Sequence, residues 1–276
     1  MSQAYEIAIT GSSGFVGSHL RRAFPRHRRL RRHGSVDELA RAVEGCRFCV
    51  NLAGAPIIHR WTAHHKREMW DSRISTTRRL VEAMEAAGCP HLVSTSAVGI
   101  YPDGTECDES CPQVAGDFLG DLARAWEEEA LRFSGRVTIL RFGVILGREG
   151  GALKRMLLPF RLGLGGPIGD GSMVMSWLDI ADLMAIYRWV FETGATGVVN
   201  CCSPEPVTNL RFTKALARVL HRPALLPVPR PMLWLLFGQG ASVLTASKIA
   251  LPARLLEKGF RFRFPTIEES LAHLLG

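Results

Sequence analysis

The sequence predicts an α/β fold: a doubly wound parallel sheet followed by a smaller, mostly helical lobe. Three observations carry this reading. A short apolar strand, Ile7-Ala8-Ile9, runs into the glycine-spaced segment Thr10-Gly11-Ser12-Ser13-Gly14-Phe15-Val16-Gly17 and then into an amphipathic helix. Strand and helix patterns alternate through the first two-thirds of the chain, as a parallel sheet with helical crossovers requires. Beyond about Gly147 the texture changes to Gly- and Pro-rich loops, notably Leu162-Gly163-Leu164-Gly165-Gly166-Pro167-Ile168-Gly169, where a second lobe begins.

The elements follow in order. Val16, Leu20, Ala23 and Phe24 sit at helical spacing after the glycines. A short second strand is expected near Arg28 to Arg32, and Ser35 with Glu38 forms a capping box for a helix through Ala42. Phe48 to Val50 reads as a strand ending at Asn51-Leu52-Ala53-Gly54, and Ile74, Thr77, Val81 and Met84 as one helix face. His91 to Ser94 is the next strand, ending in Thr95-Ser96-Ala97; Leu119, Leu122, Trp126 and Ala130 mark a helix, and Val137 to Arg141 a strand. Later come a helix after Pro206 (Leu210 to Leu220), a segment from Ala224 to Pro229, and a final helix opened by Thr266 and Glu269. Ile180 to Phe191 and Val198 to Asn200 are expected to return to the main sheet. The expected division is residues 1–150 with 176–202 in the first domain, and 151–175 with 203–276 in the smaller lobe.

A chain of 276 residues, 47% hydrophobic and 22% charged, has ample material for a large core. Met1, Ser2 and Gln3 lead toward the first strand without a charged lead or cleavage site, so no signal peptide is expected. Apolar runs such as Met232 to Phe237 are too short to span a bilayer, and the reading is a soluble, cytoplasmic protein without membrane contact. The seven cysteines show no framework spacing and read as reduced thiols. Cys46 and Cys49 form a C-x-x-C, but in a strand interior that cannot wrap zinc, so no metal is expected. His64 and His65 read as a solvated helix face.

The glycine run is a nucleotide-phosphate cradle. Gly11 takes the tight turn, Gly14 lets backbone N–H groups approach a pyrophosphate, and Gly17 lets the helix pack on the strand. The net charge of +8 is concentrated in Arg21, Arg22, Arg26, Arg28, Arg29, Arg31 and Arg32. No aromatic residues interleave with them, which disfavours nucleic acid as a partner. Where an NAD-binding domain places a carboxylate for the ribose 2′-OH, this chain has Arg28-Arg29-Leu30-Arg31-Arg32. Guanidinium groups bind a 2′-phosphate, so NADP(H) is favoured over NAD(H), with Arg31 and Arg32 as its contacts. A solvated basic face is the plainer account of any one of these arginines. Asp37 and Glu38 are the nearest acids and belong to the first turn of a helix.

With these elements in place the chain resembles the extended short-chain dehydrogenase/reductase family. Within it, the resemblance is to the atypical epimerase-like subfamily of the NAD-dependent epimerase/dehydratase superfamily, which carries an extra C-terminal domain. Its marks are the Thr10–Gly17 run, Asn51-Leu52-Ala53-Gly54, Arg60-Trp61, Ser72-Arg73, the stretch Leu157-Leu158-Pro159-Phe160-Arg161 continuing to Gly169, and Gly259-Phe260. The resemblance implies a Rossmann fold holding a nicotinamide dinucleotide, with substrate between the lobes. Cofactor contacts then fall on Gly11, Ser13, Gly14, Phe15, Val16, Leu52, Ala53, Gly54 and Thr95. Glu68 and Arg73 fall near the adenosine or ribose end, and Ile145 against the nicotinamide. For Glu68 a surface ion pair with Arg67 or Arg73 is the alternative; Trp61 and Trp70 read as packing residues.

The wider family works with a Ser, a Tyr and a Lys four residues after the Tyr. This sequence departs from that pattern: Tyr5, Tyr101 and Tyr187 are followed four positions later by Ile9, Thr105 and Phe191. Leu119 and Ala123 stand near where the tyrosine and lysine would fall. Tyr101 remains as candidate proton donor, with Ser96 or Thr95 orienting a carbonyl, against the alternative of a pocket or packing tyrosine. Two functions stay open: an NADP(H)-dependent oxidoreductase or epimerase-like enzyme acting on an unidentified carbonyl or hydroxyl compound, or an NADP(H)-binding sensor without the Tyr-Lys pair. Arg161 and Arg211 read as surface residues that could meet an anion, and a homodimer is open because family members often form one.

Overall fold

The computed structural model describes residues 6–276; Tyr5 and the reading of Met1 to Gln3 lie outside them. The first half runs β1 (Ile7–Thr10), α1 (Phe15–Ala23), β2 (His27–Arg29), α2 (Val36–Val43), β3 (Phe48–Asn51), α3 (Ala63–Asp71), α4 (Ile74–Ala87) and β4 (His91–Ala97). A 3-10 turn at Val98–Ile100 then leads to β5 (Glu106–Cys107), α5 (Phe118–Ala130), β6 (Arg136–Phe142), β7 (Val144–Gly147) and α6 (Gly151–Arg161). The second half continues with β8 (Val174–Met175), β9 (Trp177–Asp179), α7 (Ile180–Thr193), β10 (Gly197–Cys201), β11 (Val207–Thr208) and α8 (Asn209–Leu220). It closes with α9 (Arg230–Phe237), α10 (Ser242–Thr245), β12 (Ile249–Ala250), α11 (Ala253–Glu257) and α12 (Ile267–Leu275).

Among the described residues the main sheet has six strands in the order β10-β6-β4-β3-β1-β2, every pair parallel. Both faces are covered, and the period-two alternation assigns side chains to them: Ile7 and Ile9 join one apolar cluster with Val50 and Leu140, while Ala8 joins the other with Cys49, Leu92 and Ile139. The order reverses direction between β1 and β3. Their carboxyl ends therefore flank a topological switch point, where open α/β sheets hold ligands.

Both capping boxes form: Glu38 N bonds Ser35 Oγ, and Glu269 N bonds Thr266 Oγ1, each with the reciprocal carboxylate contact. The second strand is shorter than the sequence suggests. It ends at Arg29: Leu30 N–H makes a last bond to the Ile9 carbonyl of β1, and Arg31 then opens a turn closed by Gly34 N. His65 corrects the solvated-face reading: it is buried, its Nε2 3.0 Å from the Pro56 carbonyl. The thiols are not all free, since Cys107 and Cys111 are joined as a disulfide beside β12, while Cys46, Cys49, Cys89, Cys201 and Cys202 are buried free thiols.

His91 gives the fold a pH dependence. Its ring is buried against Phe48, with Nε2 2.7 Å from Thr138 Oγ1. The Thr138 hydroxyl donates to the Ala195 carbonyl, so its oxygen accepts from a neutral Nε2–H. Burial, aided by the nearby Arg136 charge, pushes the His91 pKa down to about 4. An unfolded histidine titrates near 6.5, so between these values the unfolded chain binds more protons and stability falls as pH falls. Urea unfolding is expected to lose about 3 kcal/mol from this group between roughly pH 6.5 and 4. A His91→Gln variant should show a flatter profile; one parallel to the parent chain would exclude His91 as the source.

Candidate dinucleotide site and the polar network beside it

The cradle is built by steric necessity. Gly11 has φ +63°, and a Cβ there would lie 2.7 Å from the Leu52 carbonyl oxygen. A Cβ on Gly17 would overlap the Gly11 carbonyl, so α1 can approach the turn only with glycine at this position. Gly14 caps α1 without a side-chain hydrogen bond, and the first intrahelical bond runs from Ser18 N to Gly14 O at 2.9 Å. The N–H groups of Phe15, Val16 and Gly17 therefore have no helical carbonyl to bond and point, with the positive end of the helix, toward the switch point. Ser13 and Gly14 are exposed at its mouth. Phe15 packs its ring against Gly147, Gly150 and Gly151, tying the cradle to the turn between β7 and α6.

A hydrogen-bonded chain holds the opposite wall. Thr10 Oγ1 donates to Asn51 Oδ1 at 2.8 Å and accepts from Leu52 N at 3.0 Å, while Asn51 Nδ2 and Trp126 Nε1 both donate to Thr77 Oγ1. Leu52 and Ala53 are thus fixed against Gly11, at the end of β3. Gly54 continues this wall against the Arg73 guanidinium, 2.9 Å from where a Cβ would stand.

A cavity of about 460 Å³ opens beyond this wall, lined by Arg32, His33, Arg67, Glu68 and Arg79 among others. Arg32 Nε is buried without a hydrogen-bond partner among the described residues, and Arg79 braces the Arg32 carbonyl at 3.0 Å. Arg73 is 6% exposed and gives its hydrogen bonds to the Met69 and Ala55 carbonyls. No carboxylate pairs with it among the described residues, and burial together with the Arg32 charge lowers its pKa to about 10. The charges of Arg32 and Arg73 thus act on each other with no carboxylate paired to either among the described residues, and Glu68 and Asp71 also line the cavity.

Arg31 is exposed and lies outside the cavity lining, so the structure separates the two arginines the sequence paired. Arg21, Arg22 and Arg28 bond the Ser12 carbonyl, Glu149 and the Glu44 carbonyl, respectively. Glu68 sits 3.4 Å from His65 Nδ1 rather than pairing with Arg67 or Arg73. Arg211 lies between Glu205 and Glu268.

The candidate catalytic residues occupy a second, closed network. Arg141 and Glu127 form a two-point ion pair at 2.8 and 2.7 Å, both side chains nearly buried. Ser96 Oγ donates to Glu127 Oε1 at 2.6 Å. Arg141 Nη1 donates to Tyr101 Oη, which donates to Asn200 Oδ1, each at 2.8 Å. Tyr101 is 1% exposed; burial pushes its phenol up against the pull of Arg141. This placement weighs against Tyr101 as a proton donor in the cleft. Leu119 and Ala123 present the α5 face that packs on the Val98–Ile100 turn and bring no titratable group to it. Tyr187 is buried with its hydroxyl and that of Thr95 lacking well-formed hydrogen bonds, and burial raises its pKa far above the usual value. Ile145 is buried in the main apolar cluster on β7.

Sequence reasoning missed Glu127, Arg141 and Asn200. The signal was present: Glu127 adjoins Trp126 on the apolar stripe of its helix, and Arg141 follows the apolar pair Ile139-Leu140 within a strand. A charge on a core face needs a partner.

Residues 7–202 match the NAD dependent epimerase/dehydratase family. The chain belongs to that family. Residues 228–274 match a further domain, described as a domain of unknown function (DUF1731), which agrees with the atypical epimerase-like subfamily. The epimerase family protein SDR39U1 of Homo sapiens is 34% identical over 292 residues, covering 98% of this chain and 99% of that protein. The chloroplastic SDR39U1 homolog of Arabidopsis thaliana is 33% identical, covering 98% and 86%. The crystal structure of human SDR39U1 (isoform 2) with NADPH superposes with a TM-score of 0.91 at 33% identity, covering 98% of this chain and 99% of that one. A nucleoside-diphosphate sugar epimerase from Corynebacterium glutamicum follows at TM-score 0.79 and 30% identity, covering 99% of this chain and 59% of that one. Among the described residues of this member, no helix is long and apolar enough to cross a membrane.

Proposed function

We propose that this chain is an NADP(H)-dependent oxidoreductase acting on a carbonyl or hydroxyl compound. The observation that carries the cofactor is the cradle with free amides at the N-terminus of α1, together with Arg32 and Arg73, which pair with no carboxylate among the described residues. The pyrophosphate would be held by the Ser13 to Val16 backbone, and the 2′-phosphate by Arg32 with Arg73 behind it. Leu52, Ala53 and Gly54 would give the cofactor a close wall, with Thr95, Phe15 and Ile145 as its further contacts on this reading. When bound, the nicotinamide supplies or accepts a hydride. Within the chain, Glu127 and Arg141 position Ser96 and Tyr101 at the carboxyl edge of the sheet.

A second reading, an NADP(H)-binding sensor, is favoured by that same network, because both hydroxyls are engaged inside it and α5 offers neither Tyr nor Lys. Calorimetric titration with NADPH and NADH, then a hydride-transfer panel of aldehydes, ketones and nucleotide sugars, separates the two. Turnover with any member supports the oxidoreductase; selective NADPH binding without turnover supports the sensor. Binding of neither nucleotide overturns both. Tyr101→Phe sharpens the test. It leaves Asn200 Oδ1 and Arg141 Nη1 each one partner short and is expected to cost about 1–3 kcal/mol of stability with NADPH affinity unchanged. Loss of turnover in the folded variant would restore Tyr101 as the proton donor.

A further inference from the structure

A second cavity, of about 310 Å³ and open to solvent on one side, lies away from the arginine pocket, lined by α6, the Gly165–Ile168 loop, α8, α9 and α10. Its walls are apolar, with Met156 and Phe160 from α6, Phe212 from α8 and Leu233 and Phe237 from α9. One of its few polar side chains, Asn209, already accepts the Ile168 N–H at 2.7 Å. The one cationic side chain of the lining is Arg155, exposed at its edge, which reaches only the Ile58 carbonyl at 3.4 Å and pairs with no carboxylate among the described residues. Outside, α9 exposes Trp234, Leu235 and Leu236, so apolar surface continues from the cavity lining to solvent.

We infer that this cavity binds an apolar chain with an anionic head, of the class of a medium-chain carboxylate. At roughly 30 Å³ per methylene-sized group the space takes about ten carbons. The walls offer such a chain contact without stranding polar groups, and Arg155 offers the head a charge-assisted bond. A nucleotide sugar is a poor match, because its two phosphates and sugar hydroxyls would meet one guanidinium and hydrocarbon. Calling this ligand a substrate rests on the oxidoreductase reading; its binding is measured independently of that reading.

The test is calorimetric titration of the full chain with decanoate, decanol and UDP-glucose, alongside NADPH. Decanoate is expected to bind about tenfold tighter than decanol, one charge-assisted contact being worth about that factor. Arg155→Gln should abolish the difference, and Leu244→Trp, which fills the cavity from its rim, should weaken both ligands at least about tenfold without changing NADPH binding. UDP-glucose binding in place of decanoate, or equal decanoate affinity in parent and Leu244→Trp, overturns the assignment. A protein that takes decanoate but no NADPH keeps this site and loses the oxidoreductase reading.

Discussion

Arg32→Glu is expected to weaken NADPH binding by roughly one to two orders of magnitude while leaving NADH within about threefold. The lost interaction is a charge-assisted contact of about 1.5–3 kcal/mol, and each 1.4 kcal/mol is tenfold. The substituted carboxylate adds repulsion of a 2′-phosphate, which NADH lacks. The geometry makes Arg32 the stronger position. Its Nε is buried beside the cavity without a partner among the described residues, and its charge adds to burial in depressing the pKa of Arg73. Arg31→Glu, on the exposed turn outside the lining, should change NADPH affinity by less than about threefold, the usual scale of a surface charge contact. Parallel titrations of both variants with both nucleotides decide the matter. Equal losses for NADPH and NADH in Arg32→Glu would remove the 2′-phosphate assignment, and a larger effect at Arg31 would move it to the exposed side of the turn.

The contrast between Arg31 and Arg32 shows which parts of this molecule are legible in its sequence. The cradle was readable because glycine at 11 and 17 answers to backbone geometry: a left-handed φ in one case, an otherwise forbidden contact in the other. The two capping boxes were readable because donor and acceptor lie three residues apart on one helix end. Features decided across elements were not. Adjacent arginines in a turn lie in different environments, and only the packing of α3 and α4 puts Arg32, and not Arg31, in the lining of a cavity. His65 looked like one of two solvated imidazoles until the Pro56 carbonyl gave it a buried partner. Cys107 and Cys111 found each other in a segment braced by the distant β12. For Ser96 and Tyr101 the strand end was correctly located, but the partners that engage their hydroxyls come from α5, β6 and β10, up to 99 positions away.

Those partners make Glu127→Ala the most destabilising single change expected in the site region, costing about 3–5 kcal/mol. Removing the carboxylate leaves the Arg141 guanidinium 9% exposed without its counter-charge and leaves Ser96 Oγ without its acceptor. Burial opposes the Arg141 charge; the Glu127 hydrogen bonds and charge, with Tyr101, outweigh it and raise the pKa above its ordinary value. Arg141 therefore stays cationic through the physiological range, and neutralisation offers no relief. The penalty belongs to the stranded charge more than to the lost attraction. The double replacement Glu127→Leu with Arg141→Met should accordingly recover much of the stability, because it removes the buried ions together. Denaturant midpoints of the single and double variants test this directly. A single-variant loss below about 1 kcal/mol would mean that water reaches the pair and that it behaves as a surface salt bridge. If the double variant is stable and still binds NADPH but has lost turnover, the ion pair serves to hold Ser96 and Tyr101 for chemistry. If turnover also survives, the ion pair is not needed to hold either hydroxyl, and Ser96→Ala and Tyr101→Phe then decide whether they take part.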